Sequence, residues 1–202
     1  MGPDDRSNLF PPDSKTVTVK LIDSLGTITF SIPNRYDTFF KWTSHSDCGK
    51  PCDKEQYRFQ PKRLPITKES GWLWLGEPQD SIERFTILHS AYFPFHNNTK
   101  ANAIENYHKN KREQLLNDPI TNNIKSDTIE KLNDLYFSII IIDIHDTVKA
   151  QYSKKIFAAT TIKANIIEFK YELLTKKKDS INGKFIESSK QFLKTIRINK
   201  DI

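Results

Sequence analysis

The stretch "YFSIIIIDI" (Tyr136–Ile144) holds the longest apolar run in this chain, Phe137–Ile142. It scarcely alternates, and a strand without alternation is one covered on both faces. The run is far shorter than the roughly 20 residues a membrane-crossing helix needs. It therefore predicts a central strand with a layer on each side. Just upstream, "DTIEKLND" (Asp127–Asp134) reads as a short helix feeding that strand.

The neighbouring segments alternate. In "NIIEFKYELLT" (Asn165–Thr175), Ile167, Phe169, Tyr171 and Leu173 interleave with Glu168, Lys170 and Glu172, and "KKIFAATTI" (Lys154–Ile162) reads as a further strand. Near the start, "KTVTVKLIDSLGTITFSIP" (Lys15–Pro33) carries period-two patterning on both sides of Asp23-Ser24-Leu25-Gly26, which makes a β-hairpin. Pro33 ends its second strand because it has no N–H for the ladder. "YDTFFKW" (Tyr36–Trp42) is a short aromatic element, strand or helical turn. "EQYRFQP" (Glu55–Pro61), "GWLWLG" (Gly71–Gly76) and "SIERFTILHS" (Ser81–Ser90) suggest an antiparallel meander.

Two segments have helical composition. "KANAIENYHKNKREQLLND" (Lys100–Asp118), capped by Asn98 or Thr99, shows only a thin apolar stripe, so most of it faces water. "KFIESSKQFLKTIRI" (Lys184–Ile198) places Phe185, Ile186, Ser189, Phe192, Leu193 and Ile196 on one face, after a charged turn, "KKKDSINGK". Strand runs interrupted by few helices predict an α+β fold with a mostly antiparallel β-sheet, covered by helices on both faces. The organisation expected is a flexible tail over 1–14 and one domain over 15–202.

A hairpin running into "ITFSIP", a late "IIEFKYELL" strand, a charged turn and a closing "FIESSKQFLKTIRI" resemble the PsbP/Mog1-like α/β/α sandwich family. The resemblance covers the two ends of the chain, and Thr43–Ser70 departs from it. It implies a mostly non-enzymatic protein, such as a docking subunit, a chaperone-like adaptor or an envelope lipoprotein. No binding residue of that family matches a motif here.

The 202 residues carry a net charge of +6 and only 6 glycines. Neither GxxxxGK[ST] nor GxGxxG is present, so phosphate-cradling loops of those types are not expected. The basicity is local: Gln151–Ile202 has 12 Lys and Arg against 5 Asp and Glu. Eleven of the twelve are Lys, whereas base readout favours Arg, so this region reads as a solvated face, with no nucleic-acid partner expected. The polar, proline-bearing start, "MGPDDRSNLFPPDSK", suits both the stretch after a cleaved export signal or lipid anchor and any frayed terminus.

Both cysteines lie in "SHSDCGKPCDKE" (Ser44–Glu55). His45, Cys48 and Cys52 offer three zinc-type ligands, but a structural site needs a fourth, drawn from a distant histidine or from Asp47 or Asp53. "CGKPC" is a thioredoxin-like CGPC with a lysine inserted, without the strand-then-helix setting that motif uses. A local disulfide, Cys48–Cys52, fits best and implies an oxidising compartment. Five tripeptides of the form Asp-[Ser/Thr]-aliphatic, at Asp23, Asp80, Asp127, Asp146 and Asp179, are similar to an O-glycosylation acceptor of exported proteins in some Gram-negative bacteria. The plainer reading is turns and helix caps, just before an apolar run begins. His145-Asp146 could hold a general base at a strand end, though a turn is the plainer reading. No metal, cofactor or catalytic residue is assigned. Trp72, Trp74, Tyr92, Phe93 and Phe95 cluster as candidate partner-binding aromatics.

The function expected is a non-enzymatic protein-binding module of the bacterial cell envelope. It would be an assembly subunit, adaptor or toxin-neutralising immunity protein, exported and periplasmic or outer-membrane associated. The alternative is a zinc- or thiol-dependent protein centred on His45, Cys48 and Cys52.

Overall fold

The computed structural model of the chain describes residues 13–22, 25–49, 52–65, 81–91, 102–119, 123–163 and 165–199. Along the chain come β1 (Ser14–Lys20), β2 (Thr27–Pro33), β3 (Thr38–Ser44), β4 (Lys54–Gln60), β5 (Ile82–Ser90), α1 (Ala103–Asn117), β6 (Ile124–Leu132), β7 (Leu135–Asp146), β8 (Gln151–Ile162), β9 (Asn165–Thr175), α2 (Ser180–Lys194) and β10 (Arg197–Asn199). They build two sheets. The larger has the order β3-β4-β5-β9-β8-β7-β6, and the smaller β1-β2-β10. Every pairing described is antiparallel.

The alternation in β9 sets the two sides of the large sheet. Ile167, Phe169, Tyr171 and Leu173 point to a core that they share with Phe85 and Ile87 of β5, Tyr57 and Phe59 of β4, and Ile139, Ile141 and Ile156 of β7 and β8. The small sheet contributes Ile28, Phe30 and Ile32 to that same core, and α2 contributes Phe185, Phe192 and Leu193. Phe30 meets Phe85 edge-on at 5.1 Å and Phe59 at 5.6 Å, so it joins one sheet to the other. Phe85 in turn stacks on Tyr171 at 4.3 Å.

The opposite side is built differently. Ile140, Ile142 and Phe157 form a small apolar patch under Leu115 of α1. The rest of that side carries Gln56, Arg58, Arg84, Thr86, Glu168, Lys170 and Glu172, fixed there by register. β7 is thus covered on both faces, as its unbroken apolarity demands. It lies next to the sheet edge, however, and not at the centre.

This overturns the expected helices-on-both-faces layering, and with it the α/β/α sandwich that the family resemblance implied. Strand dominates: α2 shares its side with a second sheet, and α1 packs chiefly on β7 and β6. Three local expectations also change. "DTIEKL" is not a helix but part of edge strand β6, turned into β7 through Asn133 in the left-handed region (φ 56°). α2 starts within the expected charged turn, where the Asp179 side chain accepts the Asn182 N–H at 2.9 Å. The final residues of the expected closing helix, Arg197 and Ile198, leave it and pair with β2. At α1 the N-cap is Asn102, while Asn98 and Thr99 lie outside the described residues. So do 1–12 of the expected tail and the expected Gly71–Gly76 strand; Ser14 already belongs to β1.

Buried Thr195 links α2 to the small sheet. Its hydroxyl donates to the Phe192 carbonyl at 2.7 Å and accepts the Ser31 N–H at 2.9 Å. Thr195→Val keeps the shape but strands a buried N–H, and is expected to cost about 1–3 kcal/mol in urea unfolding. Thr195→Ser should stay within about 1 kcal/mol of wild type. Equal losses in the two variants would remove the hydrogen bond as the cause.

Candidate functional site: a disulfide-closed hairpin with an open edge

The "SHSDCGKPCDKE" segment is the connection between β3 and β4. The two strands pair from Thr38↔Gln60 to Ser44↔Lys54, so the intervening loop is a hairpin tip. Cys48 and Cys52 are joined by a disulfide, with Cα atoms 5.9 Å apart, inside the usual range. Gly49 supplies the left-handed residue the tight loop needs (φ 82°), and its N–H donates to the Ser46 carbonyl at 2.9 Å. Asp53 braces the tip from below. One carboxylate oxygen accepts the Ser46 N–H and the other meets His45 Nδ1, both at 2.9 Å.

This arrangement answers the chemistry of the motif. Each sulfur is bonded to the other, so neither is a thiolate in this state, and His45 is turned onto Asp53. No group of three or more metal-ligating side chains occurs among the described residues. The other histidines of the described chain are engaged elsewhere. His89 is buried between the Ser90 carbonyl (2.8 Å) and the Tyr57 hydroxyl (3.3 Å), and His108 meets Ser138 Oγ at 2.9 Å. His145 stacks on Tyr152, and Asp146 accepts the N–H groups of Val148 and Lys149, so this pair makes a turn.

β3 is the outer strand of the large sheet. Phe39 is 52% exposed and leans on Phe59 at 4.7 Å. On the other face Phe40 stacks against Trp42 at 5.3 Å, and the buried Arg58 guanidinium sits under both, 4.7 Å from the Trp42 ring centre. Lys41 is the one charged residue of the strand, and Glu55 pairs with it at 3.2 Å. The contrast with β6, the opposite edge, is plain. β6 carries Lys125, Asp127, Glu130 and Lys131 and a register irregularity between Ile124 and Ser126, which are devices that blunt an edge.

The sequence candidates for partner binding, Trp72, Trp74, Tyr92, Phe93 and Phe95, all lie outside the described residues. Of the Asp-[Ser/Thr]-aliphatic tripeptides, the one at Asp179 caps α2 and the one at Asp146 forms an exposed turn. The one at Asp127 sits inside β6 with Asp127 paired to Arg112, which is no junction. Those at Asp23 and Asp80 begin outside the described residues.

Two features were not expected from the sequence. A groove of about 610 Å³ runs along α2, with Tyr36 and Tyr171 among its lining. The Tyr171 hydroxyl is buried without a hydrogen-bond partner among the described residues, and burial raises both phenols well above their usual range. The second is the charged side of the large sheet, where buried Glu172 bridges Arg84 Nε (2.5 Å) and Lys170 Nζ (2.9 Å). Burial alone would raise its carboxyl, but Lys170 and Arg84 outweigh that and hold it down to about 2. Neither feature leaves a short sequence motif, because each assembles residues from three or more elements.

No known protein family matches the chain, and no curated protein sequence does. A solved structure of a Bacteroides thetaiotaomicron VPI-5482 protein is similar at 11% identity and a TM-score of 0.41, over 86% of this chain. This chain spans about half of that protein, 46% of its length. None of the described helices is long and apolar enough to cross a membrane.

Two measurements test the energetics. Cys48→Ser/Cys52→Ser should speed amide exchange at Ser46–Cys52 at least about tenfold while lowering global stability by no more than about 2 kcal/mol, as suits so short a ring. For Glu172, a depressed folded pKa means stability that is fully present above the unfolded value and lost as pH falls towards 2. That contribution is about 3 kcal/mol. Glu172→Gln should therefore flatten the fall in urea stability between about pH 5 and 2. An unchanged slope would show that the acid sensitivity arises elsewhere.

Proposed function

We propose that this chain is a non-enzymatic protein-binding module of the bacterial cell envelope, exported to an oxidising compartment. It receives an extended segment of a partner protein against β3. The observation that carries the reading is the asymmetry of the two edges of the large sheet. β6 is armoured with four charged residues, whereas β3 offers three aromatics and one neutralised lysine. An outer strand has backbone N–H and C=O groups free to pair with an incoming strand, and aromatic side chains add anchoring area. The disulfide-closed tip holds the register of β3 on β4, so the edge is presented in one conformation. The disulfide also supports the compartment, since such bonds persist where thiols are oxidised. An assembly subunit, an adaptor or an immunity protein would each use such an edge.

A photocrosslinking residue placed at Phe39 in the native host tests this directly. Position 39 should yield one adduct of defined mass, and a matched probe at the exposed Ile129 of β6 should yield little. The Phe39 adduct should weaken when Cys48 and Cys52 are replaced by Ser. Equal labelling at both edges would sink the edge-recognition reading. Full thiol reactivity of the native host protein would sink the compartment.

A further inference from the structure

On the charged side of the large sheet, several of the described cations share two carboxylates, Glu168 and Glu172. Register puts Lys170 of β9 opposite Thr86 of β5 and Phe157 of β8, and puts Lys155 of β8 opposite Glu172. Lys111 of α1 comes down onto the same place. Its Nζ lies 4.8 Å from the Phe157 ring centre, and the Lys170 Nζ lies 5.6 Å from it. The carboxylates nearby are already committed. Glu172 holds Arg84 and Lys170, and Glu168 accepts from Lys54 at 3.2 Å and from the Tyr107 hydroxyl at 2.9 Å. Lys111 donates to Gln114 Oε1 on its own helix. Asp118, at the end of α1, is a further acidic influence on Lys155. Among the described residues, Lys54, Arg58, Arg84, Lys111, Lys155 and Lys170 thus share this side with Glu168, Glu172 and Asp118.

Ammonium groups drawn together over an aromatic ring repel one another, more strongly where water is thinned. Burial lowers the pKa of both Lys111 and Lys155; Glu168 opposes this at Lys111 and Glu172 at Lys155, and neighbouring cations add to the lowering. The floor adds a hydroxyl. Thr86 is 2% exposed, sits directly beside Lys170, and its Oγ1 has no hydrogen-bond partner among the described residues.

We infer that the surface where Lys111 and Lys170 meet over Phe157, with Lys155 beside them, is a binding site for a doubly charged tetrahedral oxyanion, a phosphate or sulfate group, free or as a monoester. The anion bridges the three ammonium groups. It adds negative charge beside Lys111 and Lys155, whose strongest acidic influences, Glu168 and Glu172, are shared with Lys54, Arg84 and Lys170. Sulfate and phosphate share charge and shape, so both should bind, and chloride should not replace them.

The full chain is titrated with sodium phosphate against sodium chloride at constant ionic strength, following thermal unfolding and the lysine ε-CH₂ resonances. A saturable rise in Tm of several degrees is expected, with Lys111, Lys155 and Lys170 signals moving together. Lys111→Gln/Lys155→Gln should lose the saturable part, and Lys111→Arg/Lys155→Arg should keep it. A rise that never saturates and is the same in wild type and the Gln variant is general salt exclusion and overturns the site. If the Gln variant does not fold, the wild-type lysine signals decide alone, and no selective movement overturns the site. Glycerol phosphate separates the two sources. Tighter binding than inorganic phosphate marks the group as part of a larger ligand, equal binding marks the free ion, and both support the site.

Discussion

Strands β5, β9 and β8 are two-sided, and most of the molecule follows from that. One side of the three carries Phe85, Ile87, Phe169, Tyr171 and Ile156, and the other carries Arg84, Thr86, Lys170, Glu172 and Lys155. A slip of one residue in any pairing would turn an aromatic onto the charged side and a charge into the core. Each buried large apolar side chain contributes roughly 1.5–3 kcal/mol, and each buried unpaired charge costs more than that. The register is therefore over-determined. Phe30 extends the constraint to the small sheet, because its edge-on contacts with Phe59 and Phe85 fix where β2 lies.

The charged side is the consequence that has to be managed. Half-buried cations there are partly answered by Glu172 and Glu168, and the apolar patch of Ile140, Ile142 and Phe157 is just wide enough for one helix. That explains why α1 has so thin an apolar stripe: it covers a narrow patch beside a polar surface, not a broad core. The same economy leaves Lys111 and Lys155 poised over the sheet.

The hairpin tip is a separate solution to a local problem. Among the described residues β3 pairs on one flank only, and its position rests on β4, on the Phe39–Phe59 contact and on the Arg58 stack beneath Phe40 and Trp42. Closing the loop with Cys48–Cys52 and bracing it with Asp53 keeps that outer strand in register on β4. A segment that first suggests metal or redox chemistry thereby acts as a mechanical part of a presented edge.

Local patterning determined much by itself. The alternation of β1, β2 and β9 and the unbroken run in β7 show in the residues, because side-chain direction in a strand follows from period two alone. The cysteine pairing was legible too, since four residues of separation and an intervening Gly and Pro suit a closed loop. The tertiary structure alone decided the rest. Strand order, the split into two sheets, the fate of "DTIEKL" as an edge strand and of Arg197–Ile198 as part of β10 depend on partners far away in sequence. A six-residue stretch has no intrinsic preference strong enough to resist a neighbouring strand that needs its hydrogen bonds satisfied. The lysine convergence and the exposed edge were hidden for the same reason. A site made by register between distant strands, or by a strand having one neighbour and not two, leaves no motif in the chain that encodes it.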